Sequence, residues 1–204
     1  MLRIIVVRHG QSVADIEHRL EGRADFELTE LGCQQAEKAA CWIKENLKPD
    51  LIFTSPLKRA AKTAETIGMH TGIEVYYEDA LMEWNNGLLA GLTFEEADRL
   101  YPLPEGGRKA YHDFAQCESH IDFRARAEKY LARFIDTYDI PGKNKSICLV
   151  SHGGMISMLF RSFLGLPVLT NAGLHTGDTG IHLWEASGCS RNVVFSNFLG
   201  HLDV

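Results

Sequence analysis

Two short apolar runs near opposite ends of the 204-residue chain each stop at a histidine followed by glycine, and this repeated ending constrains the fold more than any other feature. The first, Leu2 to Val7, is apolar apart from Arg3 and ends in Arg8-His9-Gly10. The second, Ser146 to Val150, ends in Ser151-His152-Gly153-Gly154 and leads into the helix-like stretch Met155 to Leu164. Runs of this length and character read as buried strands. A third, Leu51 to Thr54, passes into Ser55-Pro56-Leu57-Lys58-Arg59, where Ser55 fits an N-cap and Pro56 the first helical position. Arg59 then falls in the first turn of that helix.

Between these landmarks helical and extended patterns alternate. Thr29 to Leu47 has Ala36, Ala39, Ala40 and Ile43 spaced for one helix face, with Thr29 as N-cap. Pro56 to Gly68 reads as a helix closed by Gly68, followed by a short strand near Glu74 to Tyr77. Thr93-Phe94-Glu95-Glu96 has the form of a capping box and starts a short helix that ends before Pro102. Pro102 to Glu118 is irregular and predicts an excursion over the site. Ile121 to Tyr138 returns to helical periodicity, and Ile181 to Ala186 and Asn192 to Phe198 read as two last strands turning at Gly188. Alternation of this kind predicts an α/β protein, a three-layer α/β/α sandwich around a mostly parallel sheet.

In open α/β sheets, ligands gather beyond the carboxyl ends of the strands. Three strand ends here carry Arg8, His9, Arg59 and His152. Two guanidinium forks, two imidazoles and a helix N-terminus make a pocket suited to a doubly charged phosphoryl group. Composition supports a small-molecule ligand rather than a polyanion: 45% hydrophobic and 24% charged residues describe an ordinary globular chain, expected as one domain, and the net charge of −6 argues against nucleic-acid binding. No run reaches the length of a membrane span and Leu2 to Val7 is too short for a signal segment, so the expected location is the cytosol. Five cysteines, Cys33, Cys41, Cys117, Cys148 and Cys189, with no CxxC spacing suggest neither disulfides nor a zinc site. Neither metal-ligand clusters, a Gly-rich loop ending in Gly-Lys-Ser/Thr, nor a Cys followed at the sixth position by Arg is present, and no cofactor is expected.

Taken together, Arg8-His9-Gly10-Gln11-Ser12, the stretch Gly22 to Gly32 (GRADFELTELG) with Gln35-Ala36, Ser55 to Ala64 (SPLKRAAKTA), Leu81-Met82-Glu83 with Gly87 and Gly91, and Ser151-His152-Gly153-Gly154 resemble the motifs of the histidine phosphatase, or phosphoglycerate-mutase-like, family in their usual order. The resemblance spans nearly the whole chain. It implies a phosphoglycerate-mutase-like fold and a metal-independent phosphomonoesterase acting on a small phosphorylated molecule, with His9 as nucleophile, Glu83 as the acid that protonates the leaving oxygen, and Arg8, Arg59 and His152 on the phosphoryl group. Gln11, Ser12, Gly22 and Gly153 line up with further phosphate contacts.

The chain also departs from that pattern. Where relatives carry Asn six residues after the catalytic histidine, it has Asp15. A carboxylate about 5 Å from a phosphate costs roughly 3 kcal/mol per charge pair at an effective dielectric near 20. Asp15 is therefore expected to be protonated, turned away, or neutralised by an arginine such as Arg23. Glu21 adds a second acid at the mouth, an arrangement that favours substrates bearing a cationic group. Trp84-Asn85-Asn86-Gly87 and Arg108-Lys109 stand where the mutase branch grips its substrate carboxylate with Arg-Tyr and Arg-Arg pairs, whereas Glu118-Ser119, Asp122, Phe123 and Arg126 look like the phosphatase branch, with Cys117 in place of an expected Gly. A phosphoglycerate-type mutase and a non-catalytic phosphate-binding module are the competing readings.

Overall fold

The computed structural model describes residues 1–203. Six strands form one sheet: β1 (Leu2–Arg8), β2 (Leu51–Thr54), β3 (Val75–Tyr77), β4 (Lys145–Ser151), β5 (Ile181–Ser187) and β6 (Ser190–Phe198), ordered β3-β2-β4-β1-β5-β6. The β3, β2, β4 and β1 strands run parallel to their neighbours, while β5 lies antiparallel to β1, and β6 to β5. The sheet is thus mixed, its four-stranded parallel part carrying the expected α/β architecture.

The apolar runs have a simple cause. Both faces of the central strands are covered, so successive residues bury in opposite directions. Leu2, Ile4 and Val6 of β1, with Ile147 and Leu149 of β4, pack under α5 (His120–Tyr138) and α6 (Gly153–Phe163) beside Phe123, Leu131, Ile156, Leu159 and Trp184. Ile5 and Val7, with Cys148 and Val150, face α2 (Glu30–Asn46) and α3 (Lys58–Thr71) beside Ala40, Ile43, Ala60, Ala64 and Ile67. Each fully buried aliphatic side chain contributes about 2 kcal/mol.

Parallel register positions the site. Arg8 stands opposite Ser151 and Thr54 opposite Val150, so His9, Ser55 and His152 leave three neighbouring strands at the same level. The chain stays stitched one step beyond the sheet: the His9 N–H donates to the Ser151 carbonyl at 3.0 Å and the Ser55 N–H to the Val150 carbonyl at 3.1 Å.

Several helix limits differ from expectation. The third helix begins at Lys58, not Pro56, with Leu57 extended at the cap position. Its first N–H is satisfied by Asp25 Oδ1 at 2.7 Å, a cap from a distant loop, while the Ser55 hydroxyl accepts from the Leu57 N–H at 3.3 Å and meets His152. It continues past Gly68 to Gly72, whose φ of +74° ends it in the left-handed region, while Gly68 inside the helix makes room for the Ile73 carbonyl. A five-residue helix, α1 (Val13–Glu17), capped by Ser12, was not expected at all. The Thr93 capping box forms as read and opens α4 (Phe94–Leu100). Residues 84–120 otherwise hold only short 3₁₀ turns and loops, packed against residues 19–22 through hydrogen bonds between Leu20 and both Gly91 and Leu92.

Candidate active site

His9 is 1% exposed and held by its ring. A carbonyl can only accept, so the 2.7 Å contact of His9 Nδ1 with the Gly10 carbonyl fixes the proton on Nδ1 and leaves the lone pair on Nε2. That Nε2 faces Arg59, whose Nε approaches to 3.3 Å. Burial, then the charges of Arg59 and Arg8, holds the His9 imidazole well below its ordinary range, so the ring is neutral and nucleophilic at neutral pH.

The two arginines are fixed by the backbone around them. Arg59, fully buried on the first turn of α3, donates through its two terminal nitrogens to the carbonyls of Ala24 at 2.9 Å and Gly22 at 2.8 Å. Gly22 therefore serves here as an anchor for Arg59. Arg8 donates to the Thr176 carbonyl at 3.0 Å, and its buried Nε has no partner. His152 lies beside His9 with ring centroids 5.1 Å apart. Its Nε2 meets the Ser55 hydroxyl at 2.8 Å, and its buried Nδ1 is unpartnered. Burial first, then Arg59 and the other charges nearby, pushes the His152 pKa down as well. If the Ser55 hydroxyl donates to Nε2, His152 carries its proton on Nδ1 and joins Arg8 Nε as a second buried N–H without a protein partner.

Glu83 reaches the same place by capping a helix. It accepts from the N–H groups of Gly154 (2.8 Å), Met155 (3.1 Å) and Trp84 (2.8 Å), the first two being orphan donors at the start of α6. Its two oxygens offer about four lone-pair positions, so one on Oε2 remains for a proton. The expected phosphatase-branch residues brace it from behind. Arg126, paired with Glu118 at 2.9 Å, donates to the carbonyls of Ala80, Met82 and Glu83. A Cβ at Gly154 would stand 2.5 Å from Glu83 Oε1. Gly154→Ala should therefore lower kcat about 10²-fold with little change in KM, since only the acid is displaced; an unchanged kcat in steady-state assays would remove Glu83 from the chemistry.

The carboxylates fall differently from expectation. Asp15 pairs with Arg8 at 3.6 Å, not with Arg23, and accepts from the Ser12 N–H at 2.7 Å in a capping box. Asp178, which the sequence reading missed, stands 3.4 Å from the same guanidinium. Glu21 is turned inward, 3.7 Å from His9 Nε2 and 3.4 Å from Arg59 Nε. Its carboxyl therefore faces His9 and Arg59. Ser12 touches both Asp15 and Glu21, and Gly153 opens α6 close to Arg8. The Gln11 side-chain oxygen accepts from the Thr29 hydroxyl at 2.9 Å, at the start of α2. Thr63, which holds the Gly10 N–H at 3.2 Å, and Ser151, which holds the Leu81 carbonyl at 2.7 Å, carried no local sequence signal.

A parallel sheet with paired histidines and arginines at its carboxyl edge defines a class of α/β proteins built to hold a phosphoryl group. The chain belongs to the histidine phosphatase superfamily, branch 1, whose family model matches residues 4–198. It is 32% identical over 208 residues to glucosyl-3-phosphoglycerate phosphatase of Mycobacterium tuberculosis, covering 98% of this chain and 86% of that one. A mycobacterial structure of that phosphatase with VO3 superposes with a TM-score of 0.82 at 28% identity, covering 96% and 98% of the two chains. A phosphoserine phosphatase variant from Entamoeba histolytica, in complex with phosphoserine, superposes with a TM-score of 0.80 at 27% identity over 99% and 100%. The chain is also 31% identical over 215 residues to a probable phosphoglycerate mutase of Escherichia coli, covering 100% and 96%.

Proposed function

We propose that this chain is a metal-independent phosphoric monoester hydrolase that removes the phosphoryl group from a small phosphorylated metabolite through a phosphohistidine on His9. The observation that carries this reading is the neutral His9 ring, tethered by Nδ1 with Nε2 directed at the pocket. The phosphatase relatives from Mycobacterium tuberculosis and Entamoeba histolytica support it.

In the first half-reaction His9 Nε2 attacks phosphorus, the P–O bond to the alcohol breaks, and Glu83 gives its proton to the departing oxygen. Arg8, Arg59 and His152 Nδ1 stabilise the equatorial oxygens, as positioning and charge supply most of the catalysis in phosphoryl transfer. In the second, Glu83 takes a proton from water as the water oxygen attacks phosphorus, the N–P bond breaks, and phosphate leaves. Fixed guanidinium charge fills the role a divalent ion plays elsewhere. Among the described residues no helix is long and apolar enough to cross a membrane, and the proposed site of action is the cytoplasm.

The test is phosphate release from phosphoserine, 3-phosphoglycerate and sugar phosphates in excess EDTA. Turnover unaffected by chelator is expected. Loss of activity in EDTA with rescue by a divalent ion would refute the metal-independent route, and isomerisation of phosphoglycerate that needs a bisphosphate primer would select the mutase.

A further inference from the structure

The substrate-free pocket already contains an acid. Glu21 is 15% exposed at its side chain, and its two oxygens span Ser12, Arg59 and His9, the partners a phosphoryl group would use. The groups facing it come from every side: Arg8 and His9 from the end of β1, Ser12 and Asp15 from α1, and Arg59 from α3. Behind these stand His152 against His9 and Asp178 against Arg8.

Two counts show that this arrangement does not suit an ionised Glu21. The first concerns hydrogens. Ser12 Oγ accepts from the Asp15 N–H and lies within hydrogen-bond reach of both Asp15 Oδ2, at 3.0 Å, and Glu21 Oε1. A hydroxyl has one proton to give, so only one of these two carboxyls can receive it as an anion. Asp15 has Arg8 and the Ser12 N–H to hold its charge; Glu21 has Arg59 Nε at 3.4 Å, but that single N–H is shared with His9 Nε2 at 3.3 Å, and His9 Nε2 itself turns a lone pair toward Glu21. A protonated Glu21 satisfies the set, donating to Ser12 while Ser12 donates to Asp15.

The second count concerns charge. Of the acids paired directly with the two arginines, Asp15, Asp178 and Glu21, all ionised, would outnumber Arg8 and Arg59 by one, and both histidines are neutral. An arriving dianion would then meet a pocket of net negative charge. With Glu21 neutral the five groups balance, and its one O–H, given to Ser12 in the empty pocket, turns to the incoming oxygen when an oxyanion binds. Burial, the largest influence on Glu21, acts in the same direction and raises its pKa.

We propose that Glu21 is a specificity-determining member of the phosphoryl pocket, a carboxyl that must carry a proton and donate it in a hydrogen bond to a phosphoryl oxygen, so that the site accepts an oxyanion only while Glu21 is protonated. This rests on the pocket being the phosphoryl site assigned above. Binding to enzyme whose Glu21 is ionised then takes up one proton per oxyanion, and rising pH weakens binding without touching the fixed arginines.

Sulfate is the probe, because it stays a dianion between pH 5 and 8 and its own titration cannot supply the effect. Calorimetric titration of wild type and Glu21→Gln at pH 5, 6.5 and 8, in buffers of different ionisation enthalpy, reads affinity and proton uptake together. Wild-type affinity is expected to fall by up to about tenfold per pH unit above the Glu21 titration, with proton uptake approaching one. Glu21→Gln should bind sulfate nearly independently of pH and at least about tenfold more tightly than wild type at pH 8. Glu21→Ala, which removes the charge without replacing the donor, should share the flat profile at lower affinity. Thermal melts of both variants report folding, and either folded variant suffices.

Parallel pH profiles in wild type and the variants overturn the role of Glu21 while phosphate release in EDTA leaves the hydrolase reading intact. Failure of wild type to bind sulfate at any pH, with no hydrolysis, overturns both.

Discussion

The His9→Ala variant is expected to lose phosphate release by a factor on the order of 10⁴ or more, because removing a nucleophile that forms a covalent intermediate closes the pathway rather than slowing it. The loss should be chemical rather than structural. The His9 ring is tethered to Gly10 and touches Arg59, Glu21 and His152, while the sheet stitching runs through the His9 backbone and is kept in the folded variant. Two measurements check this. Steady-state phosphate release should vanish while the thermal melt stays cooperative, and acid-labile label from a radioactive phosphomonoester should appear on quenched wild type and not on the variant. Labelled protein from His9→Ala would move the nucleophile to another residue, with His152 the first to test.

Arg59→Met should combine a catalytic with a folding defect. The guanidinium is fully buried, and methionine fills much of the space while leaving the Gly22 and Ala24 carbonyls and the Glu21 carboxyl without their donor. Breaking a buried charged network in this way costs about 3 kcal/mol, a drop in Tm of roughly 9 °C for a chain of this size. Loss of the clamp should lower kcat/KM about 10³-fold among molecules that remain folded. Lys58→Met supplies the contrast. The Lys58 side chain is 56% exposed and pairs with Glu27 at the surface, so its removal should lower Tm by no more than about 3 °C and kcat/KM by less than a factor of about three. Comparable losses in the two variants would mean that the local helix, not the guanidinium, was being measured.

Local pattern made the strands legible because burial on both faces leaves no polar alternation to misread. Leu2 to Val7 and Ser146 to Val150 are continuous precursors of β1 and β4, and the residues after them had nowhere to go but the carboxyl edge. The same reasoning failed wherever a distant group satisfied a local need. The start of α3 was misplaced because Asp25, not Ser55, meets its first N–H. Glu83 could be paired with the site only through family resemblance, since its geometry depends on two N–H groups at the start of α6. Asp15 was recognised as a charge needing neutralisation, yet its partner proved to be Arg8, the neighbour across the first turn, because the α1 cap turns it back toward β1.

The matched register of β1 and β4 has a kinetic meaning as well as a geometric one. His9 and His152 arrive from opposite ends of the chain and become neighbours only when Arg8 settles opposite Ser151. Such long-range parallel pairing is among the slowest events available to a folding polypeptide. A partly folded molecule, or a nascent chain whose second half has not emerged, therefore has His9 without His152 beside it and Glu83 without the Gly154 and Met155 N–H groups that hold it. The phosphoryl site is thus a product of topological completion, and a chain lacking β4 and α6 is expected to release no phosphate in the same assay.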